Sequence, residues 1–218
     1  MNTLCLVTDS TKLNGRKLTT VLLDAIEGGV NMVQLREKNL NTRDFVALAR
    51  KVKQITDDCN VPFIINDRID VAMAVDADGV HIGQSDMPYH IARTLLGRDK
   101  IIGLSVENMS QIMAANDLSV DYVGISPVFA TPTKTDTATP FGIDGLANAA
   151  RFSIHPVIAI GGINGENAAE IVNVIRRNTP EHSTFHTNEI MSGIAVVSAI
   201  MDAPSARDAA ESLIQKMK

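Results

Sequence analysis

The chain has 218 residues, of which 45% are hydrophobic and 21% charged, and a formal net charge of -5 at pH 7. This length suits one domain over residues 1–218, and the acidic balance offers no general attraction for nucleic acid or an acidic membrane. Aromatic residues make up only 4%, so the stacking surfaces that single-stranded nucleic acid needs are scarce.

The cysteines and the first residues indicate where the protein works. Cys5 and Cys59 belong to no cluster with metal-ligand spacing, which is typical of thiols in a reducing compartment. Residues 1–9 lack the basic and apolar regions of a secretory signal, and no apolar run is long enough to span a membrane. We therefore expect a cytoplasmic protein without a membrane segment.

Short apolar runs alternate with amphipathic segments along the chain. The runs predict strands at 4–7, 30–33, 62–65, 79–82, 100–104, 122–125, 156–160 and 194–197. The amphipathic segments predict helices at 18–26, 42–55, 69–75, 88–96, 107–116, 142–152, 164–175 and 206–217. The polar segment 176–191 contains His182 and His186. We expect a surface excursion there, with metal binding as the alternative.

This alternation predicts the fold class. The strands read as continuous apolar runs, which is typical of a parallel sheet covered by helices. Eight strand–helix units in this length favour an α/β fold, a single-domain (β/α)8 TIM barrel. A doubly wound open sheet is the alternative, and it is disfavoured because the first strand-to-helix turn lacks a glycine-rich fingerprint.

The end of the second strand carries a basic cluster. Side chains two apart on an extended chain point the same way, so Gln34, Arg36 and Lys38 would share one face. Two cations and an amide aimed at one point can hold an anion with several oxygens. The alternative is an ordinary solvated strand end.

Polar residues also follow the other strands, at the end of a barrel where active sites lie. Asp67 and Asp86 follow neighbouring strands and could bind Mg²⁺ together with substrate phosphate oxygens, or could cap the next helices. Gly162 follows the seventh strand, and Val197 and Ser198 follow the eighth. Together they predict a phosphate cup of backbone N–H groups, whereas the glycine alone could simply make a tight turn.

These sites together suggest a reaction. A metal-assisted cationic region suits a diphosphate, and a backbone cup suits a monophosphate. Displacement of diphosphate from one substrate by a second, phosphorylated substrate fits both. Such chemistry needs no protein nucleophile, and the spacing supports none; His81, within the fourth strand, is expected to line the barrel.

Six motifs, in this order and spanning nearly the whole chain, resemble those of thiamine-phosphate synthase. They lie at 34–38 (QLREK), 66–68 (NDR), 79–86 (GVHIGQSD), 131–134 (TPTK), 161–163 (GGI) and 196–200 (VVSAI). The resemblance implies a transferase of thiamine biosynthesis that condenses hydroxymethylpyrimidine diphosphate with thiazole phosphate, after dissociative loss of diphosphate. It also implies a Mg²⁺ cofactor, small-molecule substrates and a homodimer.

The resemblance also implies roles for individual residues. Catalysis would fall to Arg36, Lys38, Ser105 and Lys134, and Mg²⁺ to Asp67 and Asp86. The pyrimidine diphosphate would be held by Gln34, Leu35, Arg36, Glu37, Lys38, Asn66, Ser105 and Lys134. The thiazole phosphate would be held by Thr131, Pro132, Thr133, Gly162, Val197 and Ser198. The threonine-rich loop 129–140 would act as a lid that excludes water.

The chain departs from the family's pattern in three places. Cys5 stands where an aromatic residue is usual, Ser126 where glycine is frequent, and the excursion before the eighth strand replaces a short connection. Two other functions remain open: a thiazole tautomerase-like isomerase on the same barrel, and a non-catalytic binder of phosphorylated metabolites. Neither would need Arg36, Lys38, Asp67, Asp86 and Lys134 together.

Overall fold

The computed structural model describes residues 2–131, 139–180 and 190–218 and shows a closed barrel of parallel strands. Each strand pairs with the next in chain order, and the last returns to the first. The strands are β1 Thr3–Val7, β2 Met32–Leu35, β3 Phe63–Asn66, β4 Gly79–Ile82, β5 Ile101–Val106, β6 Tyr122–Ile125, β7 Val157–Ile160 and β8 Gly193–Val196. The predicted (β/α)8 fold is confirmed, and the open-sheet alternative is wrong.

Helices connect the strands and cover the outside of the barrel. They are α1 Leu18–Glu27, α2 Thr42–Asp58, α3 Ile69–Val75, α4 Tyr89–Leu96, α5 Met109–Ala115, α6 Gly142–Phe152, α7 Ala168–Asn178, α8 Ser198–Met201 and α9 Ala206–Lys216. The sequence does not predict α8 or the short 3₁₀ helix Ser10–Lys12, because neither is long enough to show a periodic pattern. None of the helices in the described ranges has the length and apolar composition for crossing a membrane.

Capping residues decide where several helices begin and end. The Asn41 side chain accepts the N–H of Asp44 and starts α2, as predicted. Asn108 accepts the N–H of Gln111 in the same way, so α5 begins at Met109 rather than at the predicted 107. α1 ends before Gly28-Gly29, and Gly29 takes the positive φ (108°) that glycine adopts without strain.

The core has two layers because side chains alternate between the faces of every strand. Outward-facing residues such as Phe63 and Ile65 of β3 pack with helix residues in one large cluster, whereas Ile64 points into the barrel. The interior cluster comprises Cys5, Val7, Met32, Ile64, Ile101, Tyr122, Ile158, Ile190 and Ala195. These mainly apolar side chains close the barrel below the strand ends.

Glycines make room inside the barrel for two large polar side chains. A Cβ added at Gly103 would lie 2.1 Å from Cζ of Tyr122, and one at Gly124 would lie 2.8 Å from Cε1 of His81. Both separations are too short for a real side chain. The barrel can therefore hold Tyr122 and His81 directly beneath the site only because these positions are glycines.

Candidate active site

A cavity of ≈ 480 Å³ opens where the strands reach their carboxyl ends. It collects most of the residues proposed from the sequence: Gln34, Arg36, Lys38, Asn66, Asp67, Asp86, Ser105, Thr131, Gly162, Val197 and Ser198. Leu35 and Glu37 are not among the residues that line it. Pro132, Thr133 and Lys134, and with them most of the proposed lid, lie outside the described residues, as do His182 and His186.

The stretch 34–38 follows the strand alternation. Gln34, Arg36 and Lys38 face the cavity, as their spacing predicts. The side chain of Leu35 is 0% exposed and belongs to the outer core, and Glu37 accepts a hydrogen bond from the Ser10 hydroxyl. The structure therefore places the Leu35 side chain behind the wall of the cavity, while Glu37 is partly exposed and bonded to Ser10.

The two cations of this wall have different surroundings. Nζ of Lys38 lies 2.5 Å from Oδ2 of Asp67, so this ion pair bridges the ends of β2 and β3. Within the described residues, the Arg36 guanidinium forms no ion pair, while its backbone N–H donates to Oγ1 of Thr8 at 3.0 Å. Arg36 is thus anchored through its backbone and presents a charge that an anionic ligand can use.

The two carboxylates lie together beside Lys38. Burial raises the pKa of Asp86, Asp67 adds to the rise, and the Gly83 N–H and Lys38 oppose it. Two neighbouring carboxylates repel one another, and a divalent cation would relieve this repulsion. The described residues contain no group of three or more metal-ligating side chains, so the donor set fits an ion that takes its remaining ligands from substrate and water.

Neither carboxylate acts as a helix cap. Oδ2 of Asp86 accepts the N–H of Gly83 at 2.7 Å, inside its own loop, and α4 starts after Pro88 without a side-chain capping bond in the described range 2–131. The residue before α3 is Arg68, which also makes no side-chain capping bond there. The alternative that these aspartates are caps is therefore wrong.

The opposite side of the barrel carries the proposed cup. Gly161 and Gly162 have positive φ angles of 102° and 68°, and a Cβ at Gly162 would lie 2.7 Å from Cβ of Phe129. Val197 and Ser198 line the cavity at the start of α8. The first N–H groups of a helix have no intrahelical acceptor, so this corner can donate to a phosphate.

A hydrogen-bonded group of side chains lies at the bottom of the cavity. Nε2 of His81 is 2.8 Å from Oγ of Ser105, and Nδ1 of His81 is 3.0 Å from the hydroxyl of Tyr122. His81 lines the barrel, as predicted, whereas Tyr122 was not assigned to the site. The period-2 alternation of β6, which turns Tyr122 inward, is the signal that could have found it.

Further lining residues were given no role from the sequence. Ser85 and Ile163 lie inside two of the quoted motifs, whereas Val7, Glu107, Ile158 and Ile160 lie in none. Those on strands lie at inward positions, and Val7 and Ile158 also belong to the interior cluster that closes the barrel. An inward apolar position therefore does not by itself show which residues line the cavity.

Two of the three departures also line the cavity. Burial raises the pKa of the Cys5 thiol to about 12, so the thiol is protonated and does not act as a nucleophile at neutral pH. Ser126 lies at the rim after β6. Both contribute to the shape of the pocket.

Comparison with known proteins identifies relatives along nearly the whole chain. The family model described as thiamine monophosphate synthase matches residues 4–200. The thiamine-phosphate synthase of Vibrio campbellii is 49% identical over 201 residues, which is 92% of this chain and 91% of that protein. The thiamine-phosphate synthase of Clostridium novyi is 50% identical over 169 residues, covering 78% of this chain and 83% of that protein.

A solved structure shows the same architecture. Thiamine phosphate pyrophosphorylase from Pyrococcus furiosus superposes with a TM-score of 0.83 at 34% identity, covering 99% of this chain and 95% of that one. Phosphoribosyl anthranilate isomerase from Thermotoga maritima has a TM-score of 0.65 at 15% identity, a likeness of fold alone.

Proposed function

Because the chain belongs to the thiamine-phosphate synthase family, we propose that its cavity is where the family's reaction takes place. The protein is a transferase that condenses 4-amino-2-methyl-5-hydroxymethylpyrimidine diphosphate with 4-methyl-5-(2-phosphoethyl)thiazole to give thiamine phosphate and diphosphate. One observation carries the assignment: the cation–carboxylate wall and the backbone cup line the same cavity from opposite sides of the barrel.

The wall formed by β2, β3 and β4 suits the pyrimidine diphosphate. Arg36 and Lys38 would bind the diphosphate oxygens, and Lys134 would join them from the loop after β6. Gln34, Asn66 and Ser105 lie deeper and offer the amide and hydroxyl groups that a pyrimidine ring needs. The ring would therefore lie toward the bottom of the barrel, with the diphosphate at its mouth.

Asp67 and Asp86 would hold Mg²⁺ at this wall. When bound, the ion would neutralise charge on the diphosphate oxygens and so favour departure of the leaving group. Lys38 is already paired with Asp67, and its charge would be shared between this carboxylate and the leaving group. The repulsion between the two carboxylates supports this assignment.

We propose a dissociative course in which diphosphate leaves before the thiazole nitrogen adds. Arg36, Lys38 and Lys134 would stabilise the charge that develops on the departing oxygens. Gly162, Val197 and Ser198 would hold the thiazole phosphate so that the thiazole nitrogen faces the pyrimidine methylene carbon. Thr131, Pro132 and Thr133 would close over this substrate and keep water from the cation.

A two-substrate assay tests the proposal. Purified protein with Mg²⁺ and both substrates should release diphosphate and form thiamine phosphate, and omission of either substrate should abolish diphosphate release. A tautomerase-like relative would show no diphosphate release, and a non-catalytic binder would bind both substrates without turnover. Either result would remove the synthase assignment. Unchanged turnover after chelation of divalent ions would remove only the Mg²⁺ assignment.

We further propose that the enzyme works in the cytoplasm, as one domain over residues 1–218, and as a homodimer. Support for the dimer comes from exposed apolar side chains, because Ile91 and Leu95 lie one turn apart on α4, Met87 lies just before the helix, and they are 51%, 46% and 37% exposed. Light scattering should give a dimer mass for the wild type and a lower mass for Ile91→Glu. A monomeric wild type would refute the dimer.

A further inference from the structure

The segment between β1 and α1 contacts the chain behind both proposed substrate sites. In the barrel, β1 pairs with β2 on one side and with β8 on the other. The chain that leaves β1 at the rim therefore lies between the cation–carboxylate wall, which begins at the end of β2, and the backbone cup, which includes the end of β8. Two side chains of this segment, Thr8 and Arg16, reach in these two directions.

Thr8 holds the backbone of the wall at two points. Its N–H donates to the carbonyl oxygen of Gln34 at 2.9 Å, and its Oγ1 accepts the N–H of Arg36 at 3.0 Å. Thr8 is 0% exposed, so water at its position does not replace these bonds. The two cavity-facing residues Gln34 and Arg36 are thus fixed relative to β1.

Arg16 holds the chain that follows the cup. Its guanidinium donates to the backbone carbonyl oxygens of Met201 and Ala203, the second at 2.8 Å. Lys12 adds an ion pair with the next side chain along this turn, with Nζ 2.9 Å from Oδ2 of Asp202. A planar guanidinium that bonds two carbonyl groups fixes their direction as well as their distance, which a single ammonium group does less well.

The helix α8 needs outside support because it is short. It spans only Ser198–Met201, and a helix of four residues is not stable through its own hydrogen bonds. Buried Ile200 packs it against the core, and Arg16 holds the carbonyl groups at its far end. At a rise of about 1.5 Å per residue, that end lies within about 6 Å of Ser198, so a shift at one end moves the other.

We propose that Thr8 and Arg16 are positioning residues that set the separation between the two substrate sites. The inference rests on the proposed function, in which the wall holds the pyrimidine diphosphate and the cup holds the thiazole phosphate. The reacting nitrogen and carbon must come within about 3–3.5 Å of one another, so the two sites need a fixed separation. Thr8 acts on the wall through Arg36, and Arg16 acts on the cup through α8.

Two substitutions of Arg16 test the cup side. Arg16→Met removes the donors, so the KM for the thiazole phosphate should rise at least tenfold, while the KM for the pyrimidine diphosphate stays within about twofold. A tenfold rise corresponds to about 1.4 kcal/mol. Arg16→Lys keeps the charge but loses the planar fork, so it should raise the same KM at least threefold. A wild-type KM in Arg16→Lys would mean that charge alone matters and would overturn the positioning role.

Two substitutions of Thr8 test the wall side. Thr8→Val keeps the shape of the buried side chain but removes the acceptor of the Arg36 N–H. The KM for the pyrimidine diphosphate should rise at least fivefold, while the KM for the thiazole phosphate stays within about twofold. Thr8→Ser restores the acceptor and should stay within about twofold of the wild type for both substrates. Equal KM values for the pyrimidine diphosphate in Thr8→Val and Thr8→Ser would contradict the role of this hydrogen bond.

Arg93→Met is the matched control for a general loss of stability. Arg93 pairs with Asp121, and neither is among the residues that line the cavity. It should lower stability and leave both KM values within about twofold of the wild type. If Arg16→Met raises both KM values equally, or if Arg93→Met reproduces the selective rise, the positioning role fails. If the wild type forms no thiamine phosphate, the proposed function itself fails.

Discussion

The substitution Gly162→Ala tests whether the backbone after β7 is part of the thiazole phosphate cup. Gly162 has φ 68°, in the left-handed region, where a Cβ costs about 1–2 kcal/mol. The new Cβ would also lie 2.7 Å from Cβ of Phe129 and 3.0 Å from the carbonyl oxygen of Ala130. Because backbone and Cβ atoms cannot rotate away, residue 162 or the loop after β6 must shift.

The expected loss can be worked from these two contributions. Overpacking of a fitted site costs about 1–3 kcal/mol, so the free energy of unfolding should fall by about 2–5 kcal/mol in all. For a chain of this size, this lowers the Tm by about 5–15 °C. The shift also moves the N–H groups of the cup, so the KM for the thiazole phosphate should rise at least tenfold. The KM for the pyrimidine diphosphate should stay within about twofold.

Gly15→Ala is the matched control because Gly15 has φ 79° but nothing within 4 Å of its Cβ position. It should lose only the conformational contribution, about 1–2 kcal/mol, with unchanged kinetics. Thermal unfolding and steady-state kinetics with each substrate varied in turn measure both effects. If the two variants lose equal stability, or if Gly162→Ala leaves the KM for the thiazole phosphate unchanged, the cup is not built as described.

Two further predictions concern charged side chains. Asp67→Ala should abolish Mg²⁺-dependent turnover while circular dichroism shows an intact fold. Asp67→Asn should do the same, and asparagine better tolerates the left-handed backbone of this residue (φ 63°). Turnover at the wild-type rate in these variants would exclude a metal-binding role for Asp67. Arg93→Met should lower the free energy of unfolding by about 3–5 kcal/mol, because it breaks a 2.9 Å ion pair with Asp121, whose side chain is 5% exposed. Arg68→Met breaks the exposed pair with Asp70 and should cost under about 1 kcal/mol, so similar losses in a denaturant titration would contradict this reasoning.

Much of the site was predictable because a parallel barrel brings all strand ends together. Once the alternation of strands and helices is recognised, polar residues that follow the strands must meet at one rim. Gln34, Arg36 and Lys38 also follow from the strand period, and the structure places all three in the cavity. The same period explains why the side chain of Leu35 lies in the outer core. A contiguous motif such as 34–38 therefore does not show by itself which of its side chains line the cavity and which pack behind it.

Other features depend on contacts between distant residues. The helix-cap alternative for Asp86 is excluded by its bond to Gly83, whereas its proximity to Asp67, on which the proposed metal site depends, does not follow from local sequence. The helix α8 is too short to show a period, yet it forms one edge of the cup. The environment of Cys5 likewise follows from full burial in the closed interior.

The sequence by itself determined the barrel, the rim on which the chemistry lies and the family, because hydrophobic periodicity and the order of polar strand ends are local properties of the chain. The tertiary structure decided which polar groups touch. Tyr122, His81 and Ser105 come from three different strands, and their hydrogen bonds exist only because the closed barrel and its interior glycines bring them to within 3.0 Å. Hydrogen bonds are directional and short-ranged, so their pattern is set by the packed structure.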